Sequence, residues 1–117
     1  MKSRFIIKSA AALIALAPLG IAVHGQQGII VVHAKRFVFN PANITVRVGQ
    51  TVTLSMISDD VAHSLMIEGL KVNTVIVPDH ATAVQIKADT PGDFTGRCGR
   101  FCGSGHAEMT FVVHVTR

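Results

Sequence analysis

The stretch from Cys98 to Met109 constrains the fold more than any other part of this 117-residue chain. It contains both cysteines of the protein, and His106 and Met109 complete a set of soft donors. Thiolate, imidazole and thioether are the ligands that copper prefers, whereas calcium and magnesium sites are built from oxygen donors. Three glycines between these donors disfavour a helix or a strand and favour a tight loop. We therefore expect a copper site on a loop that a rigid scaffold holds in place.

The rest of the chain is patterned as short β-strands separated by turns. Apolar and polar residues alternate in 51–57 and in 109–116, and turn-forming clusters lie at 40–43, 58–60 and 90–93. Residues 81–88 also alternate, and we expect Ala83 and Ile86 to lie near the core. No segment has a helical period over ten or more residues. These patterns predict one all-β domain, a sandwich or barrel of about seven or eight strands.

A loop site needs a ligand from another part of the fold to be rigid, and His63 is the best candidate. It follows the break at 58–60 and adjoins an apolar segment, so a strand end can present it to a neighbouring loop. Asp60 is expected to hydrogen-bond near it. The other histidines after residue 25 that lie outside the loop, His33, His80 and His114, are expected at the surface.

The predicted donor set has five members: His63, Cys98, Cys102, His106 and Met109. Two thiolates can bridge two metal ions, whereas a single copper needs only one cysteine with the two imidazoles and a weak thioether. The second cysteine therefore favours a dinuclear site.

The N-terminus has the pattern of a secretory signal peptide. Basic residues precede an apolar run at 10–17, and a cut after Gly25 is expected. This divides the chain into a signal peptide (1–25) and one domain (26–117) in the periplasm or outside the cell, membrane-attached only if the signal stays uncut. Removing the signal lowers the net charge from +4 to +1. With no Trp or Tyr to stack on bases, we expect no nucleic-acid binding.

Two segments carry a resemblance to a known family. Asp60-Val61-Ala62-His63-Ser64, followed by Cys98-x3-Cys102-Gly103-x2-His106-x2-Met109, resembles the copper A domain of cytochrome c oxidase subunit II. The whole mature chain is similar to a cupredoxin, notably in Phe39-x-Pro41-x2-Ile44-x-Val46-x2-Gly49 and Pro91-Gly92-x-Phe94. The resemblance implies a Greek-key β-sandwich that holds a mixed-valence two-copper centre.

The resemblance also implies a role for each donor. Cys98 and Cys102 correspond to bridging thiolates, and His63 and His106 each correspond to the imidazole ligand of one copper. Met109 corresponds to a weak ligand of one copper. The backbone carbonyl of Arg100 corresponds to a weak ligand of the other.

The sequence departs from the family pattern at three places. Arg100 stands where the family usually has Glu, and Leu65 stands where an aromatic residue is common. A signal peptide replaces the family's transmembrane helices. We therefore expect a free-standing exported electron carrier, not an enzyme, whose redox partner is a protein such as a c-type cytochrome or a terminal oxidase.

Three other interpretations fit parts of the pattern. The same donors suit a protein that delivers copper. Cys102, His106 and Met109 alone suit a mononuclear blue-copper carrier, which leaves Cys98 unused. A Cys98–Cys102 disulfide in a plain β-sandwich interaction module is expected in an oxidising compartment, but it leaves His106 and Met109 without a role.

Overall fold

Nine β-strands and two short 3-10 turns make up residues 28–117, the part of the chain that this computed structural model describes. The predicted signal peptide, residues 1–25, lies outside the described residues. The strands are β1 (Gly28–Lys35), β2 (Val38–Asn40), β3 (Asn43–Arg47), β4 (Thr51–Ser58), β5 (His63–Ile67), β6 (Val72–Ile76), β7 (Thr82–Lys87), β8 (Gly92–Arg97) and β9 (Thr110–Thr116). The 3-10 turns span Glu68–Leu70 and His106–Glu108.

The strands form two sheets, ordered β2-β1-β4-β7 and β3-β9-β8-β5-β6. Two pairs, β1 with β4 and β3 with β9, are parallel, and the other pairs are antiparallel. The chain crosses repeatedly between the sheets, as in Greek-key sandwiches. The predicted all-β sandwich is confirmed. It has more strands than the seven or eight expected, because the apolar segment before Asn40 divides into β1 and β2 at a tight turn.

The core lies between the two sheets and follows the alternation of the central strands. Val52, Leu54 and Met56 of β4 are buried, and alternate residues of β9 face them from the second sheet. Phe39 and Phe111 meet edge to face, with ring centroids 5.9 Å apart. Such aromatic pairs stabilise a core beyond the area they bury.

Of the two residues of β7 expected near the core, Ile86 is confirmed and Ala83 is wrong. Ala83 is exposed, whereas Ile86 and Ala88 are buried and Val84 packs against the core. Because successive strand residues point to opposite faces, Ala83 and Ile86 cannot both face the core. The small side chain of Ala83 carries too little apolar surface to reveal the phase from sequence.

Three connections meet at one end of the sandwich. The β4–β5 connection leads to His63, and the β8–β9 connection carries both cysteines. Near the end of β5, Met66 is opposite Arg97, the last residue of β8. Because the two strands are antiparallel, the start of β5 lies beside the residues that follow β8. The β1–β2 turn reaches the same end, because Ala34 is paired with Ser58 at the end of β4. Within residues 28–117, no helix is both long and apolar enough to cross a membrane.

Candidate metal centre

His63 is the first residue of β5 and is fully buried. Its Nε2 lies 2.7 Å from Oδ1 of Asp60, as expected from the sequence. Because that hydrogen bond occupies Nε2, Nδ1 is the nitrogen left to bind a metal. Nδ1 lies 4.0 Å from Sγ of Cys98.

The cysteine loop is closed by backbone and side-chain contacts at both ends. The amide of Cys98 donates to the carbonyl of Met109 at 3.1 Å, which brings the two ends of the loop together. The amide of Gly99 donates to the hydroxyl of Ser64 at 2.8 Å. Gly103 has a φ of +142°, a conformation that favours glycine. The glycines thus allow the loop to fold back over the end of β5.

The loop brings the sulfur and imidazole donors together below the surface. The two cysteine sulfurs are 3.8 Å apart, and Sγ of Cys102 lies 3.8 Å from Nδ1 of His106 and 4.0 Å from Sδ of Met109. Both cysteines and Met109 are buried, and His106 is half-buried. The carbonyl oxygen of Arg100 lies 3.1 Å from Sγ of Cys98, while the Arg100 side chain is exposed. All six predicted site residues therefore converge.

These separations fit donors that share metal ions. A disulfide requires a bond of about 2.05 Å, and the two cysteines are free thiols here. Metal–nitrogen and metal–sulfur bonds are about 2.0–2.3 Å, so donors on one ion lie within about 4.6 Å of each other. The ligand atoms of His63, Cys98 and Cys102 lie within 4.8 Å of one another, and His106 adds a nitrogen 3.8 Å from Sγ of Cys102. The soft character of the set favours copper.

Hydrogen-bond donors that converge on the carboxylate of Asp60 stabilise its ionised form. Burial acts to raise the pKa of Asp60, but the Arg36 amide (2.8 Å), His63 and the Val61 amide (2.6 Å) donate to it and together hold that pKa well below its usual range. An ionised carboxylate is thus available to orient the imidazole of His63 and increase its basicity as a ligand.

The environment of Cys102 disfavours its free thiolate. Burial raises the pKa of Cys102, and the hydrogen bond and charge of neighbouring Cys98 raise it further. Two buried thiolates 3.8 Å apart repel each other in the absence of a counter-charge. Metal ions bound by the two cysteines would supply that charge, so deprotonation and metal binding would be coupled.

The histidines expected at the surface lie away from the donor set. His33 is exposed and its Nδ1 lies 2.8 Å from Asp59, while His114 lies 2.6 Å from Asp93 on the outer side of β9. His80 is exposed after β6.

Sequence reasoning missed two residues beside the site. Arg36 and Phe37, in the β1–β2 turn, contact the cysteine loop although they are more than 60 positions away in sequence. No local spacing signals such a contact. The hydrogen bond from the Gly99 amide to the Ser64 hydroxyl likewise has no signal in the sequence.

Comparisons with known proteins agree with this geometry. Residues 26–116 match the family model described as the periplasmic domain of cytochrome c oxidase subunit II. The chain is 31% identical over 90 residues to cytochrome c oxidase subunit 2 of Thermus thermophilus, which covers 75% of this chain and 67% of the relative.

Solved structures share the fold. The fold resembles the periplasmic domain of subunit II of cytochrome oxidase from Bradyrhizobium japonicum, with a TM-score of 0.70 and 18% identity over 76% of this chain and 83% of that one. A chain of a heme-copper terminal oxidase dimer matches with a TM-score of 0.68 and 27% identity over 81% of this chain and 68% of that one. The protein described here therefore belongs to the family of cytochrome c oxidase subunit II periplasmic domains.

Proposed function

We propose that this domain holds a dinuclear copper A-type centre and transfers electrons outside the cytoplasm. The observation that carries the proposal is the pairing of donors around two neighbouring sulfurs. Cys98 has the imidazole of His63 on one side, and Cys102 has the imidazole of His106 on the other. The two sulfurs are 3.8 Å apart, so the donor set has a pair of neighbouring sulfurs with one imidazole nitrogen beside each. That symmetry suits two ions better than one.

The weak donors complete each side of this arrangement. The Met109 thioether lies beside Cys102, and the Arg100 carbonyl lies beside Cys98. A two-copper centre, when bound, accepts and releases one electron shared between two metals. The residues of the chain limit movement during that change, since the buried donors lie at the ends of strands and on a loop that is hydrogen-bonded to them.

The burial of the donors favours electron transfer over copper delivery. Cys98 is 1% exposed, Cys102 is 5% exposed, and both His63 and Met109 are fully buried. A protein that hands over its metal needs donors within reach of a partner, whereas electrons can cross a thin layer of protein. Rapid loss of copper from the reduced protein to a chelator would instead indicate a delivery protein.

The proposed redox partner is a protein such as a c-type cytochrome or a terminal oxidase. The match to a chain of a heme-copper terminal oxidase dimer supports the second possibility. The side chain of Arg100 is exposed above the site, so a partner that docks there meets a positive charge.

Copper counting combined with electron paramagnetic resonance tests the proposal. We expect two coppers per chain and hyperfine structure from two equivalent nuclei in the oxidised protein. Cys98→Ser is expected to abolish this signal, while His33→Ala, which removes a surface histidine, leaves it unchanged. Hyperfine structure from a single copper nucleus would instead indicate the mononuclear site.

A further inference from the structure

We propose that Arg36 is a positioning residue that joins the two ligand-bearing segments of the metal centre and sets its reduction potential. The inference rests on the proposed copper centre. Arg36 lies in the turn between β1 and β2, which carries none of the donors. Its backbone and its side chain contact different segments of the site.

The backbone amide of Arg36 supports the histidine side. It donates to Oδ2 of Asp60 at 2.8 Å, while Oδ1 of the same carboxylate accepts from Nε2 of His63 at 2.7 Å. Both carboxylate oxygens of Asp60 thus accept hydrogen bonds. The orientation of the His63 imidazole therefore depends on the position of the β1–β2 turn. Partners of this kind fix the orientation of a ligand ring.

The side chain of Arg36 supports the cysteine side. Its Nε donates to the carbonyl oxygen of Cys102 at 2.9 Å, across 66 positions of sequence. Hydrogen bonds from a charged donor are shorter and stronger than neutral ones. Among residues 28–117 the guanidinium makes no ion pair with a carboxylate, so its charge acts on the Cys102 side of the site without a direct counter-ion.

The neighbouring Phe37 extends the contact along the loop. Its ring lies 2.7 Å from where a Cβ on Gly103 would stand, and 2.5 Å from the corresponding position on Gly105. The ring therefore occupies the space that these glycines leave open, next to His106. The β1–β2 turn consequently contacts the loop at Cys102 and along the two glycines that follow.

Two physical effects of the Arg36 side chain can be separated by substitution. The amide nitrogen of Gln is attached to Cδ, as Nε of Arg is, so Arg36→Gln keeps a donor at that position and removes the charge. Arg36→Lys keeps the charge but places a methylene at the Nε position. Arg36→Met removes both and keeps a similar length. Lys87→Gln is the control for loss of a surface charge. Lys87 of β7 is paired with Thr51, at the end of β4 that is far from Ser58 and the metal centre.

The expected results differ for each variant. A positive charge near the centre favours its reduced form, so Arg36→Gln and Arg36→Met are expected to lower the reduction potential, and Arg36→Lys is expected to retain it. The hydrogen bond from Nε at position 36 to the Cys102 carbonyl holds the loop in place. Arg36→Lys and Arg36→Met lack it and are expected to lose copper to a chelator about 10- to 100-fold faster. Arg36→Gln is expected to lose it at the wild-type rate.

A metal-independent readout accompanies these measurements. Amide hydrogen exchange of Gly103 and Gly105, in the protein as purified, is expected to accelerate in Arg36→Met and Arg36→Lys but not in Arg36→Gln or Lys87→Gln. If the wild-type protein binds no copper, the proposed function is wrong, while hydrogen exchange still tests the contact between Arg36 and the cysteine loop. If wild type binds copper and Arg36→Met matches it in potential, copper loss and exchange, the positioning role is wrong. Lowered thermal stability without a change in those three quantities would show a purely structural residue.

Discussion

The hydroxyl of Ser64 accepts a hydrogen bond from the amide of Gly99 at 2.8 Å, which ties the residue after His63 to the residue after Cys98. Both partners adjoin a predicted ligand, so this single bond fixes the distance between the β5 end and the cysteine loop. Ser64 is buried and the loop folds over it. The two donors are therefore held near each other by the protein itself, which reduces the ordering that metal binding would otherwise require.

Replacing Ser64 by Ala tests this tie. The change removes the acceptor and leaves the Gly99 amide without its partner, so the free energy of unfolding is expected to fall by about 1–2 kcal/mol. Copper loss is expected to accelerate as well, since the loop is freed at one end. Urea unfolding and chelator competition measure the two effects.

The matched control for that change is Ser104→Ala. Ser104 lies in the same loop but is exposed. Its substitution is expected to change the free energy of unfolding by less than about 0.5 kcal/mol. Equal effects of the two substitutions would show that loss of a serine from this region, and not the Ser64–Gly99 bond, is responsible.

Asp60→Asn is expected to weaken copper binding by about 10- to 100-fold. N–H groups of Arg36, Val61 and His63 converge on the two carboxylate oxygens, so the amide group of Asn must face at least one donor. The reduction potential is expected to rise, because a negative charge behind the His63 ligand is lost. Chelator competition and redox titration provide the measurements.

Asp59→Asn is the control for Asp60→Asn. Its carboxylate lies beside the exposed His33 and not beside a predicted ligand. We expect copper affinity and potential to stay at wild-type values. A shift in potential of the same size in both variants would mean that general surface charge, and not the orientation of His63, is the cause.

The sequence was sufficient to predict those parts of the fold that local pattern encodes. The alternation in β4 and β9 identified their buried faces, because one face of each strand packs on the core. Spacing within the cysteine loop identified donors that the structure brings together, since these residues are near each other along the chain. His63 was found by its position after a turn, and it is the first residue of β5.

The contacts between distant segments could not be predicted in the same way. The bond from Arg36 to the Cys102 carbonyl depends on where two sheets place their connecting turns. Neither residue type nor spacing reports that placement. The prediction that Ala83 of β7 is buried was wrong for a different reason, because alanine contributes little to an apolar pattern on either face of a strand.

Gly105→Ala is expected to destabilise the protein by about 1–3 kcal/mol through overpacking. The new methyl group would lie 2.5 Å from ring atoms of Phe37, so the ring or the loop must move. The φ of Gly105 is −92°, so alanine causes no backbone strain there. The loss is measured by chemical unfolding.

A double variant and a distant glycine make this test specific. Adding Phe37→Ala removes the obstructing ring, so the cost of Gly105→Ala is expected to be smaller in that background. Gly28→Ala is the control, since nothing lies within 4 Å of its added Cβ. Additive effects of the substitutions at 37 and 105 would contradict the packing that the structure shows.

Met109→Leu is expected to raise the reduction potential while leaving the fold intact. Met109 is fully buried, and its sulfur lies 4.0 Å from Sγ of Cys102. Leu has a similar volume, so the loss in unfolding free energy should be below about 1.5 kcal/mol. Losing a weak thioether donor removes electron density that stabilises oxidised copper. Met56→Leu makes the same substitution in the β4 core, where the methionine is equally buried. Redox titration is expected to show a shift for Met109→Leu and none for Met56→Leu. An unchanged potential in Met109→Leu would remove the thioether from the donor set and leave Met109 as a core residue only.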